Sequence, residues 1–153
     1  MIFAPERSMT LPVEVDDVLL NLLPTAVCVT DADGTVRRYN RRAVDLWGRE
    51  PRPGEARFCG AYRLYHPDGA PMPPGASPIA DAVRTGRPQR NREVVVERPN
   101  GTRSAVMVNV DPVRDADERV VAAVAVLQDV SDKKQVEEEA KRRAAEQADA
   151  ARR

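Results

Sequence analysis

The sequence predicts an α+β fold, in which short helices interrupt antiparallel strand pairs. Three observations carry that prediction. β-prone runs meet at Asp33-Gly34 and Asn100-Gly101, dipeptides that supply the positive φ a tight hairpin needs. Apolar residues recur at helical spacing near residues 15–23, 43–47 and 79–83. The final 23 residues, 131–153, are charged and free of Gly and Pro, which predicts a helical stalk.

Residues 1–12 mix Pro, Arg and Ser without periodicity and read as a flexible arm. An amphipathic helix is expected over 13–23. Val15, Val18, Leu19, Leu22 and Leu23 form its oily face, and Asp16 and Asp17 supply negative charge near its start. Pro24 ends it. That face must find a surface to cover, and it is the expected dimerisation element.

A strand over 26–30, a turn at 31–34 and a strand over 35–39 follow. Asn40 is placed to cap the next helix, whose Ala43, Val44, Leu46 and Trp47 face inward before Gly48 stops it. Residues 51–78 are dense in Pro and Gly. Within them Tyr62, Leu64 and Tyr65 predict one short strand ahead of the Pro67-Asp68-Gly69 turn. Ser77 and Pro78 then open a helix as N-cap and first residue, with Ile79, Ala82 and Val83 facing inward and Gly86 at its end.

Three strands close the body, over 93–97, 103–110 and 120–130. The last is apolar on both faces, so its second face needs a cover beyond a wet antiparallel sheet. The oily first helix or a partner subunit are the available covers. In the stalk, Glu137, Glu138 and Glu139 each precede a basic residue by four positions, worth about 0.2–0.5 kcal/mol per pair. Its apolar stripe, Val136, Ala140, Ala144 and Ala148, is thin, and a parallel partner helix would steady it. The expected units are thus 1–12, 13–23, a core over 24–130, and a coiled-coil helix over 131–153.

Composition narrows the function. The 24 basic and 24 acidic residues cancel, so no net field recruits nucleic acid or an anionic membrane. No apolar run approaches the length of a membrane span, and the N-terminus lacks the apolar core of a secretory signal. Two cysteines, Cys28 and Cys59, are too few for a disulfide framework or a zinc site. A cytoplasmic setting is the expectation. No nucleophile elbow, phosphate-cradling glycine loop or metal-spaced cluster occurs. Asp31 and Asp33 sit in a hairpin turn without a nearby histidine, where turn chemistry accounts for them.

Several ordered segments carry a family resemblance: Leu23-Pro24-Thr25-Ala26-Val27, Asp31-Ala32-Asp33-Gly34 with Tyr39-Asn40, Tyr62-Arg63-Leu64-Tyr65-His66-Pro67-Asp68-Gly69, Ala82-Val83-Arg84-Thr85-Gly86, and Arg98-Pro99-Asn100-Gly101-Thr102. Pro112-Val113-Arg114-Asp115 and the ending Leu127-Gln128-Asp129-Val130-Ser131-Asp132-Lys133-Lys134 complete the set. Together residues 19–135 resemble a PAS domain, a sensory module of the kind found ahead of bacterial histidine kinases. The resemblance implies a five-stranded antiparallel sheet with helices on one face, enclosing a small cavity. It also implies pairing as a homodimer through the first helix or the sheet's outer face, and a signal passed by the linker helix to a kinase or other effector.

Light-sensing relatives hold flavin through a cysteine in an Asn-Cys-Arg-Phe-Leu-Gln helix. Here Cys59 lies in Arg57-Phe58-Cys59-Gly60-Ala61, which argues against flavin. The single histidine, His66, precedes a turn rather than lying on the helix before the last strands, which argues against haem. No cofactor or metal is therefore expected, and any ligand should be small and apolar. Position in the fold makes Trp47, Tyr62, Ile79, Val83, Met107 and Asn109 the expected pocket. Asp129, Val130 and Ser131 are the expected relay, Asp129 binding backbone donors or an arginine and Ser131 capping the helix. A structural dimerisation module with a filled core, and a small enzyme, are the competing classes.

Overall fold

The computed structural model describes residues 16–152 except Pro53. The arm over 1–12 and Val15 lie outside the described residues. Helix α1 (Asp17–Leu22) begins where the Asp16 carboxylate accepts the Val18 amide at 2.9 Å. Strands β1 (Ala26–Asp31) and β2 (Val36–Tyr39) form the first hairpin. Its turn is held by Asp31, whose Oδ1 accepts the amides of Asp33 and Thr35 while Oδ2 meets Arg37 at 2.9 Å. Helix α2 (Arg41–Trp47) follows, and Gly48 ends it in the left-handed conformation.

The middle of the chain holds a second hairpin, β3 (Arg63–Tyr65) and β4 (Pro71–Met72), and then a 3-10 turn at Pro74–Ala76. Helix α3 (Pro78–Thr85) starts with Ser77 Oγ accepting the Ala80 amide at 3.2 Å. Strands β5 (Gln89–Glu97), β6 (Arg103–Arg114) and β7 (Val120–Asp129) lead into helix α4 (Ser131–Arg152).

The sheet has seven strands in the order β2-β1-β7-β6-β5-β3-β4, every neighbouring pair antiparallel. The first five of that order are the five strands expected. The β3–β4 hairpin extends them along the free edge of β5, through Arg63↔Glu97, Leu64↔Val96 and Tyr65↔Val95. Its return arm escaped the sequence because Pro71 and Pro73 flank Met72, and proline withholds the strand signal. On an outermost strand the missing amides cost little and blunt the edge against further pairing.

Helices α2 and α3 lie on one face of the sheet. Val94 and Val96, Val106 and Val108, and Ala123 and Ala125 alternate inward to meet them. Trp47 and Ile79 are the bulkiest wholly buried side chains. The Trp47 ring meets Tyr39 edge to face at 5.7 Å. Gly60 permits the loop to cross this ring, since a Cβ there would stand 2.4 Å from it.

Helix α1 departs from expectation. It is shorter than residues 13–23, and its anchor is Leu20, 5% exposed, which lies off the oily face read from the sequence. Val18, Leu19 and Leu22 point to solvent at 68%, 59% and 74% exposure, with Leu23 half-buried.

Asn40 joins these parts. Its Oδ1 accepts the amides of Val27 at 3.0 Å and Ala43 at 3.1 Å, and its Nδ2 donates to the carbonyls of Leu20 at 2.9 Å and Thr25 at 2.8 Å. The side chain is 1% exposed, so truncation would strand these groups in a dry site. Asn40→Ala should therefore destabilise the protein by about 2–4 kcal/mol in urea unfolding. A loss below about 0.5 kcal/mol would mean that water replaces all four bonds.

Candidate functional site

The join between sheet and stalk is held by several long-range ties. One residue, Val130, separates β7 from α4. The Val130 amide donates to the Ala105 carbonyl at 2.8 Å, and the Ala105 amide donates to Ser131 Oγ at 2.9 Å. Both backbone groups of one β6 residue thus hold the helix root. Asp129 Oδ1 accepts the Ser131 amide at 2.9 Å, so the carboxylate does the capping and the serine hydroxyl faces the sheet, the reverse of the capping role expected for Ser131. One turn along, Lys134 Nζ meets Glu93 of β5 at 2.6 Å, and that carboxylate holds the ammonium pKa above its ordinary value.

Beneath the join lies a groove of about 370 Å³, between α2 and the sheet end where β1 starts and β7 finishes. Arg98 reaches it from the β5–β6 turn, its stem lying against Gly48 and its guanidinium donating to Thr102 and Ser104. Its nearest approach to Asp129 is 3.9 Å. A second, mostly apolar pocket of about 280 Å³ sits under the β3–β4 hairpin, walled by Cys59, Tyr62, Leu64 and Met72.

The six expected pocket residues do not converge. Trp47 and Ile79 are buried in the core, and Val83 packs against it. Tyr62 lines the pocket under the hairpin. Met107 and Asn109 alternate with the inward Val106, Val108 and Val110, so they occupy the opposite, outer face of the sheet. There Asn109 Oδ1 accepts the Asn91 amide at 3.0 Å, which steadies a residue with φ of 50° at the β5 bulge. Counting parity along β6 from the valines would have separated these faces.

That outer face is apolar along β1 and β7. Val27 and Val29 are buried, Val124 is half-buried and Val126 is 37% exposed. Helix α1 stands at the β2 side of this face, its Asp17 3.6 Å from Arg38. Sequence reasoning missed three structural ties: Arg98 beside Asp129, the Lys134–Glu93 pair and the Leu20 anchor. All three depend on chain segments far apart in sequence.

Among the described residues no group of three potential metal ligands converges. Cys28 is wholly buried in β1, and burial pushes its thiol far above the ordinary range, with Cys59 adding to the effect. Burial also raises the Cys59 thiol. The amides of Ala61 and Gly60 and the charge of Arg49 pull the other way. Neither thiol is therefore poised as a nucleophile at neutral pH.

The linkage has one sign. The folded chain retains thiol protons that the unfolded chain loses near pH 8.5. Stability is thus full below that pH and falls above it, by up to about 1.4 kcal/mol per pH unit for each such thiol. Urea melts of Cys28→Val from pH 8 to 10 should show a shallower alkaline fall than the parent. Equal slopes would mean that Cys28 ionises freely in the folded state.

A family model described as the PAS fold matches residues 20–135. None of the curated proteins matches the sequence. Among solved structures, the chain is similar to the PAS domain of the fruit-fly ELK potassium channel, at 17% identity and a TM-score of 0.56, with 70% of this chain and 87% of that one covered. It is also similar to the LOV domain of the Erythrobacter litoralis EL346 blue-light activated histidine kinase, at 18% identity and a TM-score of 0.53, with 71% and 98% covered. An RNA-binding light-oxygen-voltage receptor matches over 99% of this chain, at 15% identity and a TM-score of 0.60, though this chain spans only 40% of that one. Likeness at such identities concerns the fold. The matched span takes in all seven strands and the root of α4, and the chain belongs to the PAS family.

Proposed function

We propose that the chain is a sensory signal-transduction domain that works as a homodimer and passes its signal through α4 to an effector such as a histidine kinase. The observation that carries this reading is the tied root of α4. Ala105 binds residues 130 and 131 through both its backbone groups, and Glu93 holds Lys134. A shift of β5 or β6 would therefore turn the stalk instead of being absorbed in a loose linker. The exposed Val18, Leu19 and Leu22 of α1, beside the apolar outer face, supply the surface for a second copy. The stalk agrees with pairing, since none of its side chains is buried within one subunit.

In this reading the domain performs no catalysis, carries neither flavin nor haem, and works in the cytoplasm without nucleic acid or membrane. Among the described residues no helix is long and apolar enough to cross a membrane. Any small apolar ligand would enter the pocket under the β3–β4 hairpin, where Tyr62, Leu64 and Met72 offer apolar walls. A filled centre favours a second reading, a ligand-free dimerisation module. Trp47 and Ile79 occupy the space between sheet and helices where the resemblance implies a cavity.

Light scattering across a concentration series should find a dimer, and Leu19→Glu should shift it toward monomer. A monomer at every concentration overturns the homodimer. With the domain fused to a histidine-kinase core, Asp129→Ala should uncouple output from the domain and cost about 1 kcal/mol of stability. Unchanged output and melting in both Asp129→Ala and Ser131→Ala would place the signal route elsewhere.

A further inference from the structure

The groove under the stalk root carries an unusual set of charges. Arg42 and Asp45 stand one turn apart on α2, and Arg98 and Asp129 face them from the sheet end. Arg42 uses its Nε on the Leu23 carbonyl at 3.1 Å. Among the described residues neither Arg42 nor Asp45 belongs to an ion pair. Arg98 and Asp129, at 3.9 Å, are too far apart for a direct hydrogen bond. Two cationic and two anionic side chains thus surround one opening, and the loose Arg98–Asp129 contact is the one ion pair among these four.

Between them Pro24, Ala26, Leu46 and Leu127 supply apolar lining, alongside the polar Thr25 and Gln128. A ligand of one sign would be attracted by two of the four charges and repelled by the other two. A ligand carrying both signs a few ångströms apart gains from all four. In a partly enclosed groove each contact also acts through a lower dielectric than water.

We propose that this groove binds a small zwitterion with an apolar side chain, of the apolar α-amino acid class. Its carboxylate sits between Arg42 and Arg98, its ammonium between Asp45 and Asp129, and its side chain on the Leu46–Leu127 floor. The site is distinct from the pocket under the β3–β4 hairpin, which lies among other elements. An ammonium beside Asp129 competes with the Ser131 amide for the same carboxylate. Binding would therefore act on the root of α4. That consequence rests on the relay proposed above, whereas the binding itself does not.

Titration calorimetry on the full chain tests the binding with L-leucine and L-phenylalanine as probes. Two relatives of leucine, 4-methylpentanoate without the amine and 3-methylbutylamine without the carboxylate, serve as comparators. The expected result is saturable binding of at least one amino acid, with both comparators about tenfold weaker or worse. Arg42→Gln and Asp45→Asn alter exposed side chains. Each should weaken binding by about tenfold; Asp45→Asn should leave the melting temperature unchanged, and Arg42→Gln should lower it only slightly, through the exposed bond to the Leu23 carbonyl.

Three outcomes overturn the proposal. One is no binding of either amino acid at about 10 mM. The second is 4-methylpentanoate or the amine binding as well as leucine. The third is undiminished binding in both variants. Kinase output from the fused domain, read with and without leucine, reports separately on the relay. Binding without a change in output overturns the coupling and leaves the site standing.

Discussion

Asn40 holds the molecule's geometry at the point where three elements meet. Its Nδ2 donates to the Leu20 carbonyl of α1 and the Thr25 carbonyl just before β1, while its Oδ1 accepts the amides of Val27 in β1 and Ala43 in α2. A shorter polar side chain could cap α2 but could not also span to the end of α1. A charged one would lose the two donor bonds. The register of β1 is set beside this residue, and β1 in turn pairs along its whole length with β7, from Ala26↔Leu127 to Asp31↔Ala122. Because β7 runs directly into α4, one amide side chain fixes the frame from which the stalk projects.

The stalk root is held by geometry more than by energy. Lys134 and Asp129 are both substantially exposed, at 39% and 44% of their side chains, so their ion pairs add little to stability in salt. What they add is direction. The two bonds from Ala105 fix where the helix starts, and Lys134 on Glu93 fixes its rotation one turn later. Weak, exposed contacts at such a place can be exchanged for others at small cost. A switch requires that, since its two states must differ by only a few kcal/mol.

Much of the fold was legible because local chemistry and tertiary structure agree. Asn40 and Ser77 cap the helices they precede, and Gly48 and Gly86 end theirs in the left-handed conformation. The seventh strand was hidden by Pro71 and Pro73, residues tolerated there only because β4 is outermost. Leu20 was passed over because helical spacing selects the face of Val18, Leu19 and Leu22, and that face is the exposed one. Met107 and Asn109 were grouped with Ile79 by their place in the fold, although alternation from Val106 puts them across the sheet. The groove was illegible because Arg42, Arg98 and Asp129 meet only after α2, the β5–β6 turn and β7 have been brought to one end of the sheet.

The centre of the domain bears on where a signal can enter. Trp47 is wholly buried, and its indole N–H has no hydrogen-bond partner among the described residues. Leaving such a donor dry costs about 1–3 kcal/mol, which the ring's burial and its contact with Tyr39 offset. A side chain retained at that cost is filling space, and Gly60 lets the loop close over it without a Cβ in the way. With the middle occupied, two spaces open to another molecule lie at the margins, under the β3–β4 hairpin and beneath the α4 root. The second adjoins Asp129, so under the proposed relay a molecule held there would act on the stalk directly. One held under the hairpin would have to work through β3, β5 and the Glu93–Lys134 pair.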